Sequence, residues 1–98
     1  MFEVSLTDKA IRDIQRIKDR LALAKIDVAL ERFRQGNFGD TRPVGNGVSE
    51  TRIHYAKGYR VYHFFVDSKM LIVAGVGTKS RQGKDIRHAQ LLKQSINR

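Results

Sequence analysis

A basic and aromatic set of side chains in the second half of the chain could bind RNA and cleave it. The set comprises Arg52, His54, Lys57, Tyr59, Arg60, Tyr62, Lys79, Arg81 and Gln82. Arginine and lysine pair with phosphates, and tyrosine rings stack on unpaired bases. RNA carries its own nucleophile, the 2′-hydroxyl group, so cleavage requires in-line orientation, proton transfer and stabilisation of the extra negative charge. This chemistry requires neither a metal ion nor a cofactor.

Residue types alone do not assign individual roles within this set. Glu50 or His54 could transfer protons, or the whole set could grip RNA without cutting it. In a purely structural interpretation, Glu50 and Arg52 form a surface ion pair and His54 is an exposed strand residue. Tyr59 and Tyr62 would then pack at the edge of the core.

Several other kinds of site are excluded. His54, His63 and His88 lie on different elements without metal-ligand spacing, so we predict no metal site. Cysteine is absent, which excludes disulfides and thiolate chemistry. The basic, glycine-flanked segment from Gly75 to Lys84 lacks the spacing of a nucleotide-binding P-loop. Its cations, Lys84 included, are instead predicted to meet phosphates.

Size and charge indicate one domain, spanning residues 1–98, with a polyanionic partner. The net charge is +9. Residues 1–51 carry nine Lys and Arg against eight Asp and Glu, a net of +1, whereas residues 52–98 carry ten against two, a net of +8. Such asymmetry favours nucleic acid over a membrane, because no basic amphipathic anchor stands out. The bland alternative is a solubilising surface. With no signal peptide or apolar span, the predicted location is the cytoplasm.

Three sequential strands are predicted to position the set. The runs 50–54, 59–66 and 70–76 are rich in β-branched, aromatic and apolar residues and are separated by short turns, so they should pair antiparallel. The middle run is apolar on both faces, which predicts a central strand covered on both sides. Arg60 in such a strand either pairs with Glu50 or faces an anion at the edge of the sheet.

The remaining elements should cover this sheet. Residues 2–6 alternate as a first strand, and Thr7 is the predicted N-cap of an amphipathic helix. A second helical pattern ends at Gly36. Residues 21–24 contain no strong helix breaker, so the two patterns could form one long helix, but a sharp turn there suits a domain of this size better. Residues 37–47 are predicted to form a loop, and the tail from Asp85 has weak helical periodicity.

At these residues the chain resembles a known family. The segment GNFGDTRPVGNGVSETRIHYAKGYRVYHFF, followed by GTKSRQGKDI, resembles the HigB-like branch of the RelE/ParE superfamily, the toxins of type II toxin–antitoxin modules. The similarity runs from about residue 33 to residue 89. It implies an α+β fold in which an N-terminal strand and two helices pack on a twisted, mainly antiparallel sheet, with a C-terminal helix.

The resemblance also implies a function, namely a metal-independent endoribonuclease, or mRNA interferase. Such a toxin cleaves messenger RNA in the ribosomal A site, leaves a 2′,3′-cyclic phosphate and is neutralised by a helix-turn-helix antitoxin. Arg52, Arg60, Lys79 and Gln82 carry over by position, with Arg60 assigned to transition-state charge. Within the superfamily, the alternatives are a ParE-like inhibitor of DNA gyrase and a non-catalytic module that binds nucleic acid or antitoxin.

The chain departs from the family pattern in the basic segment, where the usual sequence is closer to Gly-Gly-Asp-Lys-(Ser)-Thr-Gln. Here Val76 replaces a glycine, Thr78 an acidic residue and Arg81 a hydroxyl residue. The lost acid removes a candidate for proton transfer, whereas Arg81 adds a phosphate contact. Catalytic sets differ across the superfamily, so the resemblance assigns no general base, and His54 is one candidate for proton transfer.

Overall fold

The predicted strands form the centre of a five-stranded mixed sheet covered by three helices. The computed structural model describes residues 1–96. The strands are β1 (Glu3–Leu6), β2 (Thr41–Pro43), β3 (Ser49–Ile53), β4 (Tyr59–Phe65) and β5 (Met70–Gly77). The helices are α1 (Asp8–Gln15), α2 (Arg20–Arg34) and α3 (Gln82–Ile96), with a 3₁₀ turn (Lys79–Arg81) before α3. The strand order is β1-β5-β4-β3-β2, in which β1 and β5 pair parallel and the other neighbours pair antiparallel. The predicted α+β fold is confirmed.

Strand β4 is covered on both faces, as its two apolar faces predicted. Val61 packs in the core beneath the N-terminal helices, together with Ile26 and Phe33 of α2. Tyr62 and Phe64 belong to a second core cluster on the opposite face, beneath α3. Burial of each large apolar side chain contributes about 1.5–3 kcal/mol to the stability of the fold. The two clusters therefore hold β4 between two helical layers.

The two N-terminal helices are separated earlier than the sequence pattern predicted. Helix α1 is capped by Thr7, whose Oγ1 accepts a hydrogen bond from the Ala10 N–H at 3.1 Å, as predicted. The turn between the helices precedes Arg20, and the prediction that it spans residues 21–24 is wrong. The physical reason is Asp19, whose Oδ1 accepts hydrogen bonds from the N–H groups of Leu21 and Ala22. A carboxylate cap starts the helix, and the following Leu-Ala-Leu-Ala run propagates it.

The predicted loop at residues 37–47 contains a short edge strand. Strand β2 pairs antiparallel with β3, with Thr41 opposite Thr51 and Arg42 opposite Glu50. Pro43 is tolerated because β2 lies at the edge of the sheet, where one side of the strand needs no partner. This pairing brings Arg42 beside the set of residues identified in the sequence.

Helix α1 lies along the part of β5 that extends beyond the end of β1. Strand β1 ends at Leu6, opposite Val73. Beyond that point Asp13 Oδ2 accepts a hydrogen bond from the Val76 N–H at 3.0 Å. Lys9 Nζ lies 2.7 Å from Asp13 Oδ2 and 3.1 Å from Asp85 Oδ1. One lysine therefore links α1, the end of β5 and the first turns of α3.

The segment after β5 is shorter than predicted. Strand β5 continues to Gly77 and α3 begins at Gln82, so only Thr78 and the 3₁₀ turn separate them. A Cβ at Gly77 would collide with Asp85 Oδ2. The close approach that this glycine permits is thus to an internal carboxylate. Within residues 1–96, no helix is both long and apolar enough to cross a membrane.

Candidate functional site

An open groove of about 400 Å³, called the cationic groove below, lies where the β3–β4 hairpin meets the end of β5. Its charged and aromatic lining consists of Arg52, His54, Lys57, Tyr59, Arg60 and Lys79, completed by Ile53, Tyr55, Ala56 and Gly58. Six of the ten side chains predicted from the sequence are therefore brought together. The four that lie outside the lining are Tyr62, Arg81, Gln82 and Lys84.

The strand register explains how these cations meet. Arg52 on β3 is directly opposite Arg60 on β4, and Arg60 is opposite Gly77 on β5. Cross-strand partners project to the same face of a sheet, so the two arginines share one surface. Lys79 follows Gly77 by two residues and lines the same groove. The positive charges thus come from the ends of three adjacent strands.

A single buried carboxylate organises the arginines behind the groove. Glu50 is fully buried, and its Oε1 accepts a hydrogen bond from Arg52 Nε at 3.0 Å. The same oxygen lies 3.4 Å from Arg60 Nε and 3.7 Å from Arg42 Nε. Its Oε2 accepts a hydrogen bond from Gln82 Nε2 at 2.9 Å. Gln82, the first residue of α3, therefore secures the carboxylate that three guanidinium groups surround.

The surroundings of Glu50 keep it ionised. Burial by itself raises the pKa of the carboxyl group, but hydrogen bonds from Arg52 and Gln82 and the charges of Arg42 and Arg60 outweigh that effect and lower it. Glu50 has no exposed surface, and both of its oxygens are engaged. The geometry therefore supports a role as internal counter-ion and gives no support to the alternative in which Glu50 exchanges protons with a substrate.

His54 stands at the rim of the groove, paired with a residue that the sequence did not point to. His54 Nε2 lies 2.5 Å from Asp40 Oδ2, and both side chains are well exposed. The hydrogen bond with His54 is the main cause that lowers the pKa of the Asp40 carboxyl group. Asp40 precedes β2, and its backbone oxygen accepts a hydrogen bond from the Arg52 N–H at 2.9 Å. The pairing of β2 with β3 is what places it there.

The tyrosines predicted to stack on bases are both buried. Tyr62 lies beneath α3 with no exposed surface, and burial, followed by the nearby carboxylates of Glu50 and Asp85, raises the pKa of its hydroxyl group. Tyr59 is 7% exposed and packs in the core beneath the N-terminal helices. Neither ring offers an open face to a base in this conformation.

Two further predicted residues, Arg81 and Lys84, lie beside the groove. Both are exposed, Arg81 at the end of the 3₁₀ turn and Lys84 in the first turn of α3. They extend the cationic surface from Lys79 toward the helix. From this position Arg81 and Lys84 can contact the phosphates of a long polyanion rather than a group at the centre of the groove.

A second groove, of about 530 Å³, lies between α2 and strand β3. Its lining includes Val28, Phe33 and Phe38, and it shares Arg52 and His54 with the cationic groove. The surface that lines this larger groove is mainly apolar. We place the candidate chemistry in the smaller groove because the converging cations lie there.

Comparisons with known proteins agree with this architecture. No family model matches the chain. An uncharacterized protein from Haemophilus influenzae is 40% identical over 83 residues, which cover 85% of this chain and 84% of that protein. The RelBE2 toxin–antitoxin complex from Mycobacterium tuberculosis contains a chain with a TM-score of 0.64 and 18% identity, covering 80% of this chain and 98% of that one.

A mutant of the Escherichia coli toxin RelE in the free state has a TM-score of 0.60 and 17% identity, covering 90% of this chain and 93% of that one. At this level of identity, both solved structures establish a shared fold.

Proposed function

We propose that this chain, which belongs to the same family as the Haemophilus influenzae protein and has the fold of the RelE toxins, is the toxin of a type II toxin–antitoxin module. We place it in the HigB-like branch and assign it ribosome-dependent cleavage of messenger RNA in the A site. The observation that carries this proposal is the groove in which Arg52, Arg60 and Lys79 converge beside His54.

The groove has the groups that cleavage by the 2′-hydroxyl requires. Arg60 is held from behind by Glu50 and lines the groove, where it can stabilise charge that develops on the phosphorane oxygens. Arg52 and Lys79 contribute further positive charge, and His54 is the accessible group that can accept a proton. In the proposed reaction the P–O2′ bond forms and the P–O5′ bond breaks, which leaves a 2′,3′-cyclic phosphate.

The burial of Tyr59 and Tyr62 supports dependence on the ribosome. An enzyme that orients free RNA commonly stacks bases on exposed aromatic rings. Here both tyrosines of the predicted set are packed in the core. The groove can hold and stabilise a phosphate, but the in-line geometry of the message would have to come from the ribosomal decoding site. Lys57, Arg81 and Lys84 would contact ribosomal or messenger phosphates around the groove.

The proposed partners follow from the same assignment. A small helix-turn-helix antitoxin would neutralise the chain, and the ribosome with its bound message would be the target. Both would be met in the cytoplasm. The site uses no cofactor in this scheme.

The test is a purified translation system in which the 5′ ends of a defined message are mapped with ribosomes present or omitted. The wild type and Lys69→Ala should cut in register with the reading frame, and only when ribosomes are present. Lys69 is an exposed lysine in the β4–β5 turn, at the opposite end of the sheet from Lys79. Lys79→Ala should cut at least tenfold more slowly. Intact messages with the wild type, or equal cutting without ribosomes, would contradict the proposal.

A further inference from the structure

We propose that Asp40 is a positioning residue that holds His54 in the tautomer and orientation of a general base. This inference rests on the proposed function, because the proton concerned is that of the attacking 2′-hydroxyl group. Asp40 does not touch the reacting atoms in this scheme and acts only through His54.

The direction of the hydrogen bond fixes which imidazole nitrogen is free. Asp40 Oδ2 lies 2.5 Å from His54 Nε2. An ionised carboxylate only accepts hydrogen bonds, so the proton in this contact belongs to Nε2. In a neutral imidazole the other nitrogen, Nδ1, then carries the lone pair. His54 therefore presents a proton acceptor on the side of the ring that faces away from Asp40.

Asp40 itself is held by the loop and strand around it. Its backbone oxygen accepts the Arg52 N–H at 2.9 Å, which extends the β2–β3 pairing by one residue. Just before it, Asn37 Oδ1 accepts the Gly39 N–H at 3.1 Å. Just after it, Thr41 Oγ1 donates a hydrogen bond to the Phe38 backbone oxygen at 2.5 Å. These bonds fix the backbone that carries the carboxylate, and from this position Asp40 can orient a histidine that is otherwise free to rotate at the surface.

The pair lies on the face of the sheet that carries the arginines. Asp40 extends the β2–β3 register to the position opposite Arg52, and Arg52 is opposite Arg60. Arg52, Lys57, Arg60 and Lys79 surround His54 in the cationic groove, while Lys25 and Arg32 of α2 face it across the larger groove. Asp40 is the only acidic residue that lines either of these two grooves among residues 1–96.

The resulting step is balanced in protons and electrons. The 2′-hydroxyl proton moves to His54 Nδ1 as the 2′-oxygen attacks phosphorus. The imidazolium so formed is stabilised by the Asp40 carboxylate. Arg60 and Lys79 face the charge on the phosphorane, the P–O5′ bond breaks, and the leaving 5′-oxygen takes a proton from water. The imidazolium then returns its proton to solvent.

The kinetic test measures cleavage of ribosome-bound message under single-turnover conditions from pH 5.5 to 9. Asp40→Asn should lower the maximal rate by about 10- to 100-fold, by analogy with the loss seen when a carboxylate that orients a metal-bound histidine is removed. The toxin concentration for half-maximal rate should stay unchanged. Asp40→Glu should restore part of the rate.

Two matched variants separate this role from a structural one. Asp67→Asn alters an exposed aspartate in the β4–β5 turn, far from the groove, and should cleave like the wild type. His54→Gln should lower the rate at least as much as Asp40→Asn, and the double variant should be no slower than His54→Gln alone. Additive losses, or an Asp40→Asn variant that cleaves at the wild-type rate, would overturn the inference.

A second readout does not depend on cleavage. In the long-range ¹⁵N–¹H spectrum of the free protein at pH 8, with signals assigned by comparison with His54→Gln, His54 should be mainly the Nε2–H tautomer. Asp40→Asn should shift it toward Nδ1–H, because an amide can donate to Nε2. A wild-type protein in the Nδ1–H form would overturn the pairing even if cleavage occurs. A wild type that cuts no ribosome-bound message would overturn the proposed function, and the general-base role with it.

Discussion

Glu50 and Arg60 are diagonal neighbours on β3 and β4, with Oε1 of the buried carboxylate 3.4 Å from Nε of the arginine. Arg60 is 8% exposed, yet it lines the cationic groove. One edge of its guanidinium group thus faces an internal anion while the residue borders the proposed position of the phosphate. If Arg60 stabilises charge in the proposed cleavage, this pair would couple that role to folding stability.

Replacement of Arg60 should therefore affect both properties, but to different extents in two variants. Arg60→Ala should slow cleavage by about 100- to 1,000-fold, or about 2.7–4 kcal/mol, as loss of one preorganised charge-stabilising donor does. It should also lower the melting temperature, because Glu50 loses a neighbouring charge. Arg60→Lys should melt closer to the wild type but still cleave slowly, because an ammonium group lacks the planar fork.

Single-turnover cleavage and thermal unfolding measure the two effects of changing Arg60. Arg12→Ala, which removes an exposed arginine of α1, is the control and should match the wild type in both. If Arg60→Ala cleaves at the wild-type rate, Arg60 has no part in the proposed cleavage.

Loss of Glu50 should be among the most destabilising single changes in the chain. Glu50→Ala leaves Arg42, Arg52 and Arg60 crowded together without their shared counter-ion. Removing one partner from a buried ion pair costs about 3–5 kcal/mol, which urea denaturation would detect as a lower free energy of unfolding. Glu31→Ala breaks an exposed ion pair with Arg34 and should cost less than about 1 kcal/mol. Similar losses for the two variants would show that the arginine cluster does not depend on Glu50.

His63 should make stability fall as the solution becomes mildly acidic. It is 3% exposed, its Nε2 lies 2.8 Å from Thr51 Oγ1, and burial lowers its pKa to about 4. The unfolded chain binds a proton near pH 6.5, so the stabilisation is complete above that pH and is lost as the pH falls toward 4. The expected loss between pH 7 and pH 5 is about 2 kcal/mol.

Urea denaturation across this pH range tests the role of His63. His63→Phe should remove most of the slope between pH 7 and pH 5, because its ring cannot titrate. His88→Gln, which changes an exposed histidine on α3, should keep the slope. A wild-type protein that is equally stable at pH 7 and pH 5 would contradict the assignment of His63 as a neutral core residue.

Two glycines near the start of α3 should respond to alanine in opposite directions. Gly77→Ala places a Cβ against Asp85 Oδ2 and should destabilise by about 1–3 kcal/mol, the usual cost of overpacking. Gly83 lies in the first turns of α3 with open space around it, and Gly83→Ala should stabilise by about 0.5–1 kcal/mol. Thermal unfolding distinguishes the two. A neutral Gly77→Ala would mean that Asp85 is free to move aside.

Much of the central sheet could be predicted from its alternation. The runs that became β3, β4 and β5 are short, β-branched and separated by turn residues, which predicts antiparallel hairpins. The register that places Arg52 opposite Arg60 is seen in the structure. The same pattern predicted that both faces of β4 are covered. The cationic groove was therefore accessible to sequence reasoning because it depends on local strand geometry.

The parts that could not be predicted depend on tertiary pairing. Strand β2 is three residues long and contains proline, so only its pairing with β3 identifies it as a strand. Asp40 joins His54 through that pairing. Helix α3 has weak periodicity, which hid the extent to which it buries Tyr62. A tyrosine on such a strand has the same sequence pattern whether its ring faces solvent or a helix.

The position of helix α1 affects the tendency of the protein to aggregate at high concentration. Unpaired strand edges are the usual templates for aggregation through added strands. By occupying the flank of β5 beyond β1, with Asp13 bound to the Val76 N–H, α1 covers the end of β5 that would otherwise be a further template of this kind. The edges left within residues 1–96 are the four-residue β1 and the three-residue, proline-containing β2. Because both edge strands are short, the sheet offers few backbone groups to an added strand. We therefore expect little fibre growth during overexpression, even if partial unfolding exposes the apolar core.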